Sequence, residues 1–117
     1  MIHEMPKRMQ DGVDGALARG FALKSAIERR CACPASLVDT VPVHAFIEGA
    51  ETWDVDVHVF TLSAYAKANT AYAWTAWIEG QPEIFTALDI GPIRSPVDAV
   101  CAIAADYVRE RRLAARV

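Results

Sequence analysis

Residues 71–90, AYAWTAWIEGQPEIFTALDI, carry the clearest structural signal in this sequence. Two runs of alternating side chains, rich in aromatic and β-branched residues, flank a turn that we place at residues 79–83. A period of two with this composition predicts a half-buried β-hairpin. Because successive side chains of a strand point to opposite faces, Trp74 is expected to lie inside the molecule and Trp77 to face outward.

A second hairpin is predicted upstream, from residues 41–49 and 53–62. In both segments valine or another apolar residue alternates with mostly polar ones, which is typical of a sheet with one buried face. Pro42 cannot donate a hydrogen bond to a neighbouring strand, so the first strand is expected at an edge of the sheet. A short connection at residues 62–70 then joins the two hairpins into a four-stranded antiparallel meander.

Helices are predicted near both ends of the chain. Residues 7–30 carry apolar residues at three- and four-residue steps, the spacing of an amphipathic helix. The last helix begins at a clear signal, since Ser95 is a natural N-cap, Pro96 suits the first helical position, and Asp98 follows in a capping-box arrangement. The expected fold is an α+β two-layer sandwich, a single domain over residues 1–117 with both helices packed on one face of the meander.

The composition is that of an ordinary globular protein, with 53% hydrophobic and 23% charged residues. A net charge of −3 argues against a dedicated binder of polyanions, which normally shows a basic excess.

Three cysteines are an odd number, so Cys31, Cys33 and Cys101 are interpreted as reduced thiols. No segment resembles a signal peptide or approaches the roughly 18 apolar residues that span a bilayer. We therefore expect a cytoplasmic protein without a membrane partner, and nine arginines against three lysines are typical of GC-rich bacterial genomes.

The outward side of the first hairpin carries the candidate metal ligands. Placing Ile47 opposite Val55 sets His44 beside His58, with Asp56 nearby. His44, Asp56 and His58 would then converge on a divalent metal, since imidazole and carboxylate are common ligands, or a histidine would act as general base. Polar residues that alternate with valines are also what a solvated sheet face shows. We therefore assign no metal and no cofactor, and a small metal-dependent enzyme is the second alternative function.

Motifs of nucleophilic or nucleotide-binding enzymes are absent from the sequence, which contains no GxSxG, P-loop or GxGxxG pattern.

The second candidate site is apolar. With Ile78 opposite Ile84, Trp77 lies opposite Phe85 on the face turned away from the helices, and Phe46 shares that side. Such a pair stabilises a hairpin, but a sheet face with several aromatics and few charges usually marks a contact. Phe46, Trp77 and Phe85 are therefore predicted to bind a protein partner, most simply a second copy of the chain.

Nucleic-acid binding is the first alternative to this non-enzymatic interaction module. The order helix, strands, helix resembles the topology of double-stranded-RNA-binding domains, in which a basic run opens the last helix and meets phosphates. Here residues 95–99, SPVDA, contain an aspartate and no lysine, and only Arg94 is nearby. The basic residues that would carry such binding cluster instead at the helix ends: Arg29, Arg30, Arg109, Arg111 and Arg112.

Overall fold

The computed structural model describes residues 16–46, 52–78 and 80–116, and within them the side chains of residues 20–107, 109 and 110. The elements follow in the order α1 (Ala16–Cys31), β1 (Ala35–Phe46), β2 (Thr52–Leu62), β3 (Thr70–Ile78), β4 (Gln81–Leu88) and α2 (Pro96–Arg116). The predicted helix start at residues 7–15, and the predicted strand end and turn at residues 47–51, lie outside the described residues. Neither described helix is long and apolar enough to cross a bilayer.

The four strands form one antiparallel sheet in the order β1-β2-β3-β4, which confirms the predicted α+β class and meander. β1 is an edge strand, as Pro42 predicted. It begins at Ala35, well before the predicted start at residue 41. The early part of β1 is irregular, with a register shift between Leu37 and Asp39, and most of its side chains are exposed. This part therefore lacks the clean alternation from which a strand is recognised.

The predicted register of the β3–β4 hairpin is wrong. Ile78 pairs with Gln81, so two residues connect the strands, and Trp77 pairs with Pro82. Gly80 has a φ of 79°, a conformation that tight hairpin turns require and that glycine adopts without strain. The turn predicted at residues 79–83 includes Pro82. In the structure it lies in edge strand β4, where its missing N–H is tolerated.

The two helices pack against the sheet on opposite faces, whereas both were expected on one. Tyr72, Trp74 and Ala76 of β3 belong to a core cluster that includes three residues of α2: Ala99, Val100 and Ala104. The intervening Ala71 and Ala73 belong to a second cluster with Leu23 and Ile27 of α1. We name the side covered by α2 the Trp74 face. The side on which α1 packs, towards which Ala71, Ala73 and Trp77 point, is the Trp77 face. β3 is apolar on both sides, a pattern typical of a strand covered from above and below. The contact with α1 was not predicted because alanines form this side of β3 and give only a weak hydrophobic signal.

The start of α2 is confirmed. The backbone N–H of Asp98 donates to Oγ of Ser95 at 3.1 Å, and the helix begins at Pro96. The Asp98 carboxylate accepts from the backbone N–H of Arg94 at 3.1 Å, one residue before the N-cap, so the capping box is not strictly reciprocal. Val97, in the first turn, is 49% exposed.

Tyr72 ties the sheet to the segment that precedes α2. Its O–H donates to Oδ2 of Asp89 at 2.7 Å, and the residue is almost fully buried. Burial is the main reason that the pKa of the Tyr72 phenol lies well above its usual value, and the hydrogen bond to the Asp89 carboxylate adds to it. The phenol is therefore held protonated in the folded chain.

Candidate functional site

β2 and β3 separate part of the way along the sheet. Their ladder runs from the pair Thr61–Thr70 to the pair His58–Ala73, and in the described chain no pair joins residues 52–57 to residues 74–78. Within each hairpin the pairing continues, from β1 to β2 as far as Phe46 and Thr52 and from β3 to β4 as far as Ile78 and Gln81. We call the opening between residues 52–57 of β2 and residues 74–78 of β3 the fork.

On the Trp74 face, aromatic side chains fill the space beside the fork. The ring of Phe85 lies 5.2 Å from that of Trp53, 6.0 Å from that of Trp74 and 5.8 Å from that of Tyr107, centroid to centroid. Trp53 is only 5% exposed, so this side is dry. The indole N–H of Trp74 is buried here without a hydrogen-bond partner among the described residues, which costs about 1–3 kcal/mol.

This arrangement corrects the position of Phe85. It pairs with Trp74 instead of lying opposite Trp77, and therefore packs against the core on the α2 side. A shift of the hairpin register by an odd number of residues exchanges the two faces of a strand, which is the reason for the error. Phe85 is accordingly not part of an outward contact surface. Ile84, which had been expected inside, lies on the Trp77 face with 44% exposure.

On the Trp77 face, the fork is open to solvent. A cavity of about 450 Å³ occupies it. The cavity is bounded by residues of β1, β2, β3 and α1: Thr40, Asp54, Val55, Asp56, His58, Thr75, Trp77 and Leu23. A second cavity of about 260 Å³ lies directly between residues 52–55 and 75–78, and Trp77 lines this one too. Trp77 is 70% exposed whereas Trp74 is fully buried, so the two indoles lie on opposite sides as predicted.

Phe46 shares the Trp77 face and is 71% exposed. It pairs with Thr52 at the last described position of β1, beside the open end of the fork. The described residues of α1 pack mainly against the other end of this face, where their cluster includes Phe60, Ala71 and Leu88. Among the described residues, three large hydrophobic side chains stay in water on this part of the face: Phe46, Trp77 and Ile84.

The polar candidates of the first hairpin are not arranged as predicted. Val55 pairs with Val43, so His44 lies opposite Asp54, and the Nδ1 atom of its ring contacts the Asp54 carboxylate. His58 lies opposite Thr40 instead of His44, and Asp56 lies opposite Pro42. The predicted grouping of His44, Asp56 and His58 is therefore not formed. Within the described residues no three histidine, cysteine or acidic side chains could hold a metal ion together.

Two arginines of the nucleic-acid alternative, Arg30 and Arg109, make contacts within the chain. Arg30 of α1 donates from Nη1 to the Thr86 carbonyl at 2.9 Å and to its hydroxyl at 2.8 Å, which anchors α1 to β4. Arg109 of α2 contacts Asp106 on its own helix. α1 and α2 themselves lie on opposite faces of the sheet. The side chains of Arg111 and Arg112 lie outside the described residues.

Comparisons with protein-family models, with curated proteins and with solved structures gave no significant match to this chain. The geometry combines an uncovered apolar surface around Trp77 with an opening between two strands, whose rim is acidic at Asp54 and Asp56.

Proposed function

We propose that this chain is a non-enzymatic protein–protein interaction module, and that its contact surface is the uncovered part of the Trp77 face. A second copy of the chain is the simplest partner, because two-fold self-association is the commonest form of oligomer. The observation that supports the proposal is the 70% and 71% exposure of Trp77 and Phe46 on one side of the sheet. Large exposed aromatics on one surface usually mark a contact.

The energy available at this surface is appreciable. Trp77 leaves 70% of its area in water, or about 175 Å² of roughly 250 Å² for a tryptophan. Burying that area contributes about 4 kcal/mol at ~25 cal/mol per Å². In a two-fold dimer the same surface is buried on both subunits, so the contribution counts twice. Translational and rotational entropy opposes association, and the aromatic surface is what offsets it.

Size-exclusion chromatography with light scattering tests this proposal. The wild type is expected at twice its monomer mass of 12.8 kDa. Trp77→Glu should give a monomer with an unchanged circular dichroism spectrum, because the interface would then bury a charge without a partner. Val97→Glu is the matched control, since it adds the same charge at a half-exposed apolar residue of α2 and should leave the dimer intact.

A monomeric wild type at all concentrations, or a Trp77→Glu variant that still dimerises, would contradict the homodimer. The dependence on salt separates this proposal from nucleic-acid binding. Association through an apolar surface should change little when salt is added, whereas binding to phosphates weakens steeply.

A further inference from the structure

The walls of the fork present backbone groups that have no strand beside them. Every second residue of a strand directs its N–H and C=O towards the same neighbour, and such groups form a template for another strand when the neighbour is missing. β1 occupies the far side of β2, and β4 occupies the far side of β3. In the described sheet, however, residues 52–57 and 74–78 have no pairs across the opening. An extended polypeptide is the kind of ligand that satisfies such groups.

The rim of the fork on the Trp77 face favours a basic ligand. Asp54 and Asp56 are both exposed, and no lysine or arginine is among the described residues that line the larger cavity. Across the opening stands the exposed indole of Trp77. A lysine or arginine on this side would meet carboxylates for charge-assisted hydrogen bonds and an aromatic face for a cation–π contact.

The other side of the fork favours apolar side chains. An inserted strand directs alternate side chains to the two faces of the sheet. Those directed to the Trp74 face would meet apolar residues that line the cavity of about 260 Å³ between the strands, namely Trp53, Val55, Ala76 and Ile78. The preferred ligand sequence therefore alternates a basic residue with a small or β-branched apolar one.

We propose that the fork binds an extended peptide segment of alternating basic and apolar residues, which enters between β2 and β3 as an additional strand. The inference shares Trp77 with the proposed function and names a partner chemistry for that surface. It depends, however, on the backbone groups of the fork and not on self-association. A bound peptide and a second copy of the chain compete for Trp77.

Fluorescence anisotropy with a labelled hexapeptide tests the proposal. The probe is Lys-Val-Lys-Val-Lys-Val with a fluorescein at its N-terminus, titrated with the full chain. Saturable binding is expected for this peptide, and none for the Glu-Val counterpart. A version with N-methyl groups on alternate backbone amides keeps the charges but loses hydrogen-bond donors, so its affinity should fall at least about tenfold.

Variants of the protein provide the second arm of the test. The double variant Asp54→Asn/Asp56→Asn should weaken binding of the Lys-Val peptide about tenfold, because it removes both rim charges. The control Asp106→Asn/Glu110→Gln changes the net charge equally at exposed positions of α2 and should bind like the wild type. Circular dichroism verifies that all variants are folded.

The proposal is overturned if the Lys-Val peptide shows no saturable binding, if the N-methylated peptide binds equally well, or if the two double variants behave alike. Light scattering on the same wild-type samples separates this outcome from failure of the proposed function. A chain that dimerises at high concentration but does not bind the peptide when diluted to the monomer refutes the strand site and leaves self-association standing. A monomer that binds the peptide refutes the homodimer and supports the strand site.

Discussion

Alanine substitutions at Trp74 and Trp77 test whether the two indoles lie on opposite sides of the sheet. Trp74 is fully buried against Phe85 and the α2 cluster. Removing such a side chain costs about 3–5 kcal/mol in the free energy of unfolding, from lost burial and the cavity that remains. Trp77 is 70% exposed, so only about 75 Å² of its surface contacts the chain. At ~25 cal/mol per Å², Trp77→Ala should cost at most about 2 kcal/mol.

The assay is urea unfolding followed by circular dichroism, at low protein concentration so that self-association contributes little. Should Trp74→Ala fail to fold, Trp74→Phe and Trp77→Phe provide a milder pair with the same order of effects. Acrylamide quenching of the folded protein gives an independent readout, because loss of Trp77 should remove the most accessible fluorescence. Equal losses of stability at the two positions, or a larger loss at Trp77, would refute the assignment of faces.

Three further experiments test the rest of the fold. Ser95→Ala should lower the free energy of unfolding by about 1 kcal/mol through loss of the N-cap of α2, while Ser63→Ala in the β2–β3 loop should have little effect, as measured by urea unfolding. Because the pKa of Tyr72 is raised in the folded chain, its contribution to stability is complete below about pH 10, where the unfolded phenol titrates, and is lost as the pH rises further. Tyr72→Phe should remove this loss of stability at alkaline pH. A wild type whose stability does not fall above about pH 10 would contradict the raised pKa. Burial raises the pKa of the Cys31 thiol, so a thiol reagent should modify the more accessible Cys33 first. Mass spectrometry after digestion measures the order of modification, and faster modification of Cys31 would contradict its burial.

Most of the secondary structure could be predicted because its signals are local. The alternation in β2 and β3, and the Ser95–Pro96 start of α2, are each contained within a few residues. The β3–β4 register could not be predicted in the same way, since it depends on whether the chain turns in two residues at Gly80 or in a longer loop. The predicted and observed registers differ by an odd number of residues, so Phe85 was predicted on the surface although it lies in the core.

The candidate site was predictable only in part. The outward position of Trp77 follows from the pleat, but the fork leaves no trace in the pattern, because residues 52–57 and 74–78 alternate as they would in a paired strand. On β1 and β2 the register error was even, so His44 stayed on the predicted face and only its partner changed, from His58 to Asp54. Alternation thus identifies the face of a side chain, while its neighbours are set by long-range pairing.

Sedimentation equilibrium of the wild type and of Trp77→Glu over a wide range of concentrations tests the central claim most directly. If the uncovered Trp77 face is a contact surface for a second copy, the wild type will approach twice 12.8 kDa as concentration rises, and the variant will stay at 12.8 kDa. A wild type that keeps the monomer mass throughout would show that this face does not mediate self-association.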